Sequence, residues 1–281
     1  MKILITGANG QLGKCIKDVS INYPEYDFLF TGKEELDITS EDSISNLFST
    51  QRFDYCINAA AYTHVEKAET NKKQAFLVNA KGAKYLAKQC NNNNTVLLQI
   101  STDYVFDGKK RTPYTEEDQT NPINVYGASK LEGERLVKEF SEKYYIVRTS
   151  WLYSNYGHNF YNSITRFAKE GRDLKITTEQ TGTPTNALDL SKAILKIISF
   201  NSNNFGVYHV SNTGKSTWYD FAKAILKNTE QISTSKLVKV NYFSTFAARP
   251  NFSVLNTEKF TNEFGFLLPP WKKSLKKIIS K

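Results

Sequence analysis

Short apolar runs alternate with stretches of helical period through the first half of the chain. The runs at 2–5, 27–31, 54–58, 95–101 and 144–149 read as strands. The segments 12–19, 42–49, 72–90 and 126–140 between them read as helices. Ser40, followed by Glu41 and Asp42, supplies an N-cap with carboxylates in the first turn of the second helix. Strand–helix alternation of this kind builds βαβ units and therefore a parallel sheet covered on both faces. After Trp151 the alternation loosens, with helices expected at 160–169, 188–199 and 219–227 and a strand at 207–210. The basic stretch 271–279 reads as an amphipathic surface helix. No internal repeat is visible.

The expected fold is α/β: a Rossmann-type doubly wound parallel sheet in residues 1–150, with 187–212 returning to it, and a smaller, interleaved C-terminal substrate-binding region in 151–281. The first strand runs into Gly7-Ala8-Asn9-Gly10-Gln11-Leu12-Gly13. Glycines there let the backbone approach a pyrophosphate, whose charge the N-terminus of the following helix favours. The spacing is one residue longer than G-x-G-x-x-G, so the fingerprint applies by analogy; a plain structural turn is the competing reading. Asn58-Ala59-Ala60-Ala61 after the third strand leaves room for a cofactor lying against the backbone. Ser101-Thr102-Asp103-Tyr104 after the fourth ends in polar groups. All three segments emerge at the carboxyl edge of the sheet, where open α/β sheets bind ligands.

Tyr126 and Lys130 are one helical turn apart and share a helix face. A lysine ammonium beside a phenol favours phenolate and can also hold ribose hydroxyls. When hydride reaches a carbonyl carbon, the oxygen gains charge that a tyrosine proton and the Thr102 hydroxyl can stabilise together. A Tyr-x-x-x-Lys pair alone is weak evidence. The chain holds a second, Tyr219 and Lys223, read as incidental. At the end of the second strand, Thr31-Gly32-Lys33 stands where an NAD enzyme usually places a carboxylate. Lys33 suits a 2′-phosphate, which favours NADPH over NADH, although Glu34 and Glu35 follow closely and a surface lysine is the alternative.

Composition narrows the picture further. The formal charge of +9 suits an anionic, phosphate-bearing ligand, but lysine and asparagine are abundant throughout and no nucleic-acid-binding motif accompanies the charge. Neither a nucleic acid nor a membrane is an expected partner. Cys15, Cys56 and Cys90 fit neither a disulfide framework nor a CxxC metal site. With Met1-Lys2 leading straight into a strand, a cytoplasmic location is expected.

These segments carry a resemblance. The glycine turn, 58–63, 101–108 and 126–134 resemble the extended short-chain dehydrogenases/reductases, and among them the dTDP-4-dehydrorhamnose reductase family. The likeness continues through Arg148-Thr149-Ser150-Trp151, Gly182-Thr183-Pro184-Thr185 and Arg249-Pro250, so it covers nearly the whole chain. It implies NADPH-dependent reduction of the 4-keto group of a dTDP-6-deoxy-hexulose, with Thr102, Tyr126 and Lys130 as the catalytic set. The dinucleotide would lie against Gly7, Gly10, Gln11, Leu12, Gly13, Lys33, Asp37, Ile38, Ala59, Ala60 and Ala61, besides Tyr126 and Lys130. The dTDP-sugar would meet Thr102, Asp103, Tyr126 and Trp151, with Arg249 on its diphosphate. Some members form a dimer bridged by magnesium on two glutamates; Cys15 and Leu188 stand at those places here. No metal is therefore expected, and a monomer or a homodimer without that bridge is. Rival readings are another sugar-nucleotide reductase, epimerase or dehydratase, or a non-catalytic NADP-binding subunit. A dehydratase would carry an acidic pair after the threonine, whereas Tyr104 follows Asp103.

Overall fold

The structure, a computed structural model, describes residues 1–227 and 236–279; residues 228–235 and 280–281, which fall inside the expected substrate region, lie outside the described residues. Strand β1 (Lys2–Thr6) is followed by helix α1 (Gln11–Ser20), β2 (Asp27–Thr31), α2 (Glu41–Thr50) and β3 (Tyr55–Asn58). Helix α3 (Val65–Thr70) and the short α4 (Lys72–Phe76) precede a π-helical turn at Leu77–Gly82 and α5 (Ala83–Asn92). Then come β4 (Val96–Thr102), α6 (Val125–Phe140), β5 (Tyr144–Thr149), α7 (Phe160–Lys169), α8 (Ala187–Phe200) and β6 (Gly206–His209). The chain continues with α9 (Trp218–Lys227), α10 (Glu258–Phe264) and α11 (Trp271–Ile279).

The six strands make one parallel sheet in the order β6-β5-β4-β3-β1-β2. Sequence order reverses between β1 and β3, so a crevice opens beyond their carboxyl ends. Both faces of the sheet are covered, and alternate residues feed opposite cores. Ile3, Ile5, Ile57 and Val147 pack with α1 and α8 on one side. Leu4, Cys56, Leu97 and Ile146 pack with α2, α5 and α6 on the other. A third core joins Tyr153, Ile164, Phe221, Ile225, Trp271 and Leu275, drawing on α7, α9 and α11.

The helix expected over 72–90 is interrupted. Its apolar period is continuous, but Gly82 passes so close to Ile38 that a Cβ would lie 2.9 Å from the Ile38 Cδ1. The wider turn also presents the Asn79 side chain, which accepts from the Tyr62 N–H (2.8 Å) and donates to the Ser129 Oγ (2.9 Å). A π turn inside an α-helix commonly marks a place where such a tertiary demand overrides the regular ladder. Helix α6 starts at Val125, where Asn124 caps it by accepting from the Gly127 N–H at 2.7 Å. Gly127 and Gly133 let α6 lie against the Tyr104 and Asn79 carbonyls, where any side chain would collide with backbone.

Candidate active site

The glycine turn follows β1 directly. Gly7 has φ +65°, a left-handed conformation that glycine adopts without strain, and a Cβ there would sit 2.6 Å from the Ala60 nitrogen. The turn after β1 is thus pressed against the turn after β3, bringing Gly7, Gly10, Ala59 and Ala60 to one place. Gly10 is the N-cap of α1 and offers no side-chain cap, which leaves the first-turn N–H groups free to receive an anion. Leu12 points into the apolar core, so only its backbone can serve a ligand. Gln11 is tied across the cleft: its amide donates to the Leu152 carbonyl (3.3 Å) and its oxygen accepts from Asn159 (2.7 Å).

At the end of β2, Lys33 is exposed. The Glu35 carboxylate accepts from the Gly32 N–H at 2.7 Å, a contact that spacing alone did not reveal. Asp37 accepts from the Thr39 hydroxyl and N–H, which hold its carboxyl below the usual range, with Lys33 contributing in the same direction. Ile38 is a core residue against the π turn.

Thr102 closes β4, and its hydroxyl donates to Asp103 Oδ1 (3.1 Å) while accepting from the Tyr104 N–H (3.2 Å). Tyr126, in the first turn of α6, packs its ring edge-on against Tyr104 with centroids 5.8 Å apart. Burial raises the Tyr126 phenol above its ordinary range; the neighbouring Thr102 hydroxyl opposes the shift, and Asp103 and Tyr104 add to it. The ammonium of Lys130 does not depress this pKa as its spacing suggested. Lys130 is buried and donates to the Ile100 carbonyl at 2.6 Å. Burial lowers its own pKa to about 8, with Glu134 holding it up. Asp103 is also buried, which pushes its carboxyl to about 7, and its Oδ2 has no hydrogen-bond partner among the described residues.

Arg249 reaches the same site through Tyr104, donating to its hydroxyl at 3.3 Å. It pairs with Glu66 at 2.7 Å, and Glu66 in turn accepts from the backbone N–H groups of Phe246 (2.9 Å) and Ala247 (3.1 Å). Glu66 was not among the expected site residues; its only sequence signal is an acidic position just after the 58–63 segment. Trp151 stands just past β5, whose Thr149 pairs with Thr102. Tyr219 and Lys223 lie on α9, and the Tyr219 ring carries Lys239 at 5.0 Å. Beneath the site, Glu134 takes two bonds from Arg148 (2.9 and 2.7 Å) and one from Ser101 (2.5 Å), all buried.

A pH effect follows from Lys130. The kcat/KM for NADPH reports the free enzyme, and only an ammonium could play the ribose-holding part expected of Lys130. It is expected to fall as pH rises through about 8. Lys130→Arg should abolish that limb, and Asp103→Asn should leave it; a limb that survives Lys130→Arg assigns it to another group.

Parallel sheet, glycine turn and Tyr–Lys–Thr cluster together define an oxidoreductase of the short-chain dehydrogenase/reductase class. Residues 1–281 match the family model described as RmlD substrate binding domain. The dTDP-4-dehydrorhamnose reductase of Aggregatibacter actinomycetemcomitans is 37% identical over 99% of this chain and 98% of its own. That of Escherichia coli (strain K12) is 33% identical over 100% and 97%. Among solved structures, the dTDP-4-dehydrorhamnose reductase from Bacillus anthracis str. Ames in complex with NADP superposes with a TM-score of 0.95, at 38% identity over 99% and 98% of the two chains. The chain belongs to the dTDP-4-dehydrorhamnose reductase family. UDP-glucose 4-epimerase from Thermotoga maritima, at 19% identity and a TM-score of 0.86, shares the fold.

Among the described residues no helix is long and apolar enough to cross a membrane, and no group of three or more His, Cys, Asp or Glu is placed to hold a metal. Cys15 is fully buried and Leu188 packs against the same apolar core.

Proposed function

We propose that this protein reduces the 4-keto group of dTDP-6-deoxy-L-lyxo-4-hexulose (dTDP-4-dehydrorhamnose) with NADPH, yielding dTDP-L-rhamnose for cell-surface polysaccharide. The observation that carries the reading is the meeting of Thr102 and Tyr126 at the carboxyl end of β4, in a chain that matches reductases over its whole length. The uncapped start of α1 and the tight Gly7 turn fit the dinucleotide pyrophosphate. Lys33 and the Thr39-bonded Asp37 flank the place for the adenosine ribose.

The nicotinamide, when bound, supplies the hydride. Tyr126, kept protonated at neutral pH by burial, donates its proton to the developing sugar alkoxide, a far stronger base than phenolate. Thr102 holds the same oxygen through its hydroxyl. Lys130, anchored on Ile100, presents its remaining N–H donors to the ribose hydroxyls. Asp103 and Trp151 contact the sugar, and Arg249 leaves Glu66 to meet the diphosphate with its planar fork. The enzyme works in the cytoplasm, as a monomer or as a homodimer without a metal bridge.

The test supplies the dTDP-keto-sugar, follows NADPH oxidation, and identifies the product. Stoichiometric oxidation with dTDP-L-rhamnose formed is expected. A product made without cofactor consumption would instead indicate an epimerase.

A further inference from the structure

Trp151 has φ +44°, a left-handed conformation that is strained for a bulky aromatic residue. Such a conformation persists only where the surroundings impose it. Two neighbours do so. The Trp218 ring lies face to face on the Trp151 indole, with centroids 3.6 Å apart and planes 4° from parallel, the closest ring pair among the described residues. Gly182 approaches the same indole, and a Cβ there would lie only 2.4 Å from the Trp151 Cε2.

Trp218 is itself fixed. Its Nε1 donates to the Gln180 Oε1 at 2.9 Å, and Phe160 packs on it at 4.5 Å. Ser216 and Thr217, just before it, pair antiparallel with Gly182 and Thr181, so the backbones behind both constraints move together. Both indoles nevertheless remain partly exposed rather than sealed in a core. They sit where Thr149 pairs with Thr102 on one side of Trp151 and where Gln11 of the glycine turn bonds Leu152 on the other.

We infer that Trp218 is a positioning residue for the sugar subsite: by stacking on Trp151 it holds that indole in the strained pose in which it meets the substrate. The inference rests on the reading of Trp151 as a sugar contact and deepens it. A large apolar ring presented in a single orientation loses little entropy when a sugar ring packs on it. Without its stacked partner the indole relaxes toward ordinary backbone and rotamer geometry, and the pocket loses its shape. The glycine turn, where the cofactor phosphates are expected, is built by β1, α1 and the alanines after β3 and not by the stacked indoles.

The test compares KM for dTDP-4-dehydrorhamnose, KM for NADPH, kcat and Tm in four variants. Trp218→Leu is expected to raise the sugar-nucleotide KM about tenfold, the scale of one lost aromatic stack, with the NADPH KM unchanged. Trp218→Phe should restore most of the loss. Gly182→Ala, which displaces the indole from the other direction, should reproduce it and serves if Trp218→Leu does not fold. Equal rises in both KM values together with a lower Tm would overturn the inference, since that is what a merely structural residue produces. So would an unchanged sugar KM in Trp218→Leu alongside a raised one in Trp151→Leu. If Trp151→Leu leaves the sugar KM unchanged, the reading of Trp151 as a sugar contact fails first.

Discussion

Tyr126→Phe is expected to lower kcat by about 10²–10⁴-fold, the range that a positioned proton donor contributes. The substitution removes one oxygen and leaves the ring, so the edge-on contact with Tyr104 survives and the start of α6 keeps its Asn124 cap. NADPH affinity, read by fluorescence titration, should stay nearly constant, because the phosphate-binding turn and Lys130 are untouched. Tyr219→Phe serves as the control. Tyr219 lies on α9 with Lys239 over its ring, it forms the other Tyr-x-x-x-Lys spacing with Lys223, and turnover of the variant should match the parent enzyme. Parent-level kcat in Tyr126→Phe would remove the phenol from the mechanism.

The largest expected loss of stability belongs to Glu134→Ala. Glu134 and Arg148 are 1% and 3% exposed, and the deletion would leave a guanidinium buried without its counter-ion. Nearby His209 cannot help: burial, reinforced by Arg148, lowers its pKa to about 3, so it is neutral and has no negative charge to offer. Ser101 would lose its acceptor as well. Breaking one partner of a buried pair costs about 3–5 kcal/mol, a large share of the roughly 5–15 kcal/mol that holds a protein folded. Urea denaturation should record a loss of that size, and Glu134→Gln a smaller one, because the amide oxygen still accepts. A loss below 1 kcal/mol in Glu134→Ala would mean that water reaches Arg148. The same deletion acts on Lys130. Glu134 is the neighbour that holds the Lys130 pKa up against burial, so its removal should move the alkaline limb of kcat/KM to lower pH.

Much of this architecture could be read before any coordinates. The strand runs alternate with helical stretches because a parallel sheet buried on both faces demands continuous apolar segments, and β3, buried at all four positions, is the plainest case. The glycine turn, the Ser40 cap, and the shared helix face of Tyr126 and Lys130 are all local. Each follows from chain geometry within a turn or two of helix, and each is in place. The π turn at Leu77–Gly82 was not legible, because the helical period runs through it unbroken. What breaks the ladder is the contact of Gly82 with Ile38 and the reach of Asn79 to Tyr62 and Ser129.

The tyrosine's acidity shows the division most clearly. Helical spacing puts Lys130 on the same face as Tyr126 and suggests a lowered phenol pKa. Packing carries the ammonium to the Ile100 carbonyl and raises the phenol by burial instead. A period in the chain states which residues share a face; it does not state which acceptor a flexible side chain will find. The ion pair of Arg249 with Glu66 spans 183 positions, and the Trp151 stack joins two indoles from separate elements. Nothing in the spacing of 37 basic and 28 acidic residues selects those partners. Local order was written in the chain because hydrogen-bonded backbone has fixed periods. Partners across the crevice were chosen only when strand order and close packing brought distant segments to one edge of the sheet.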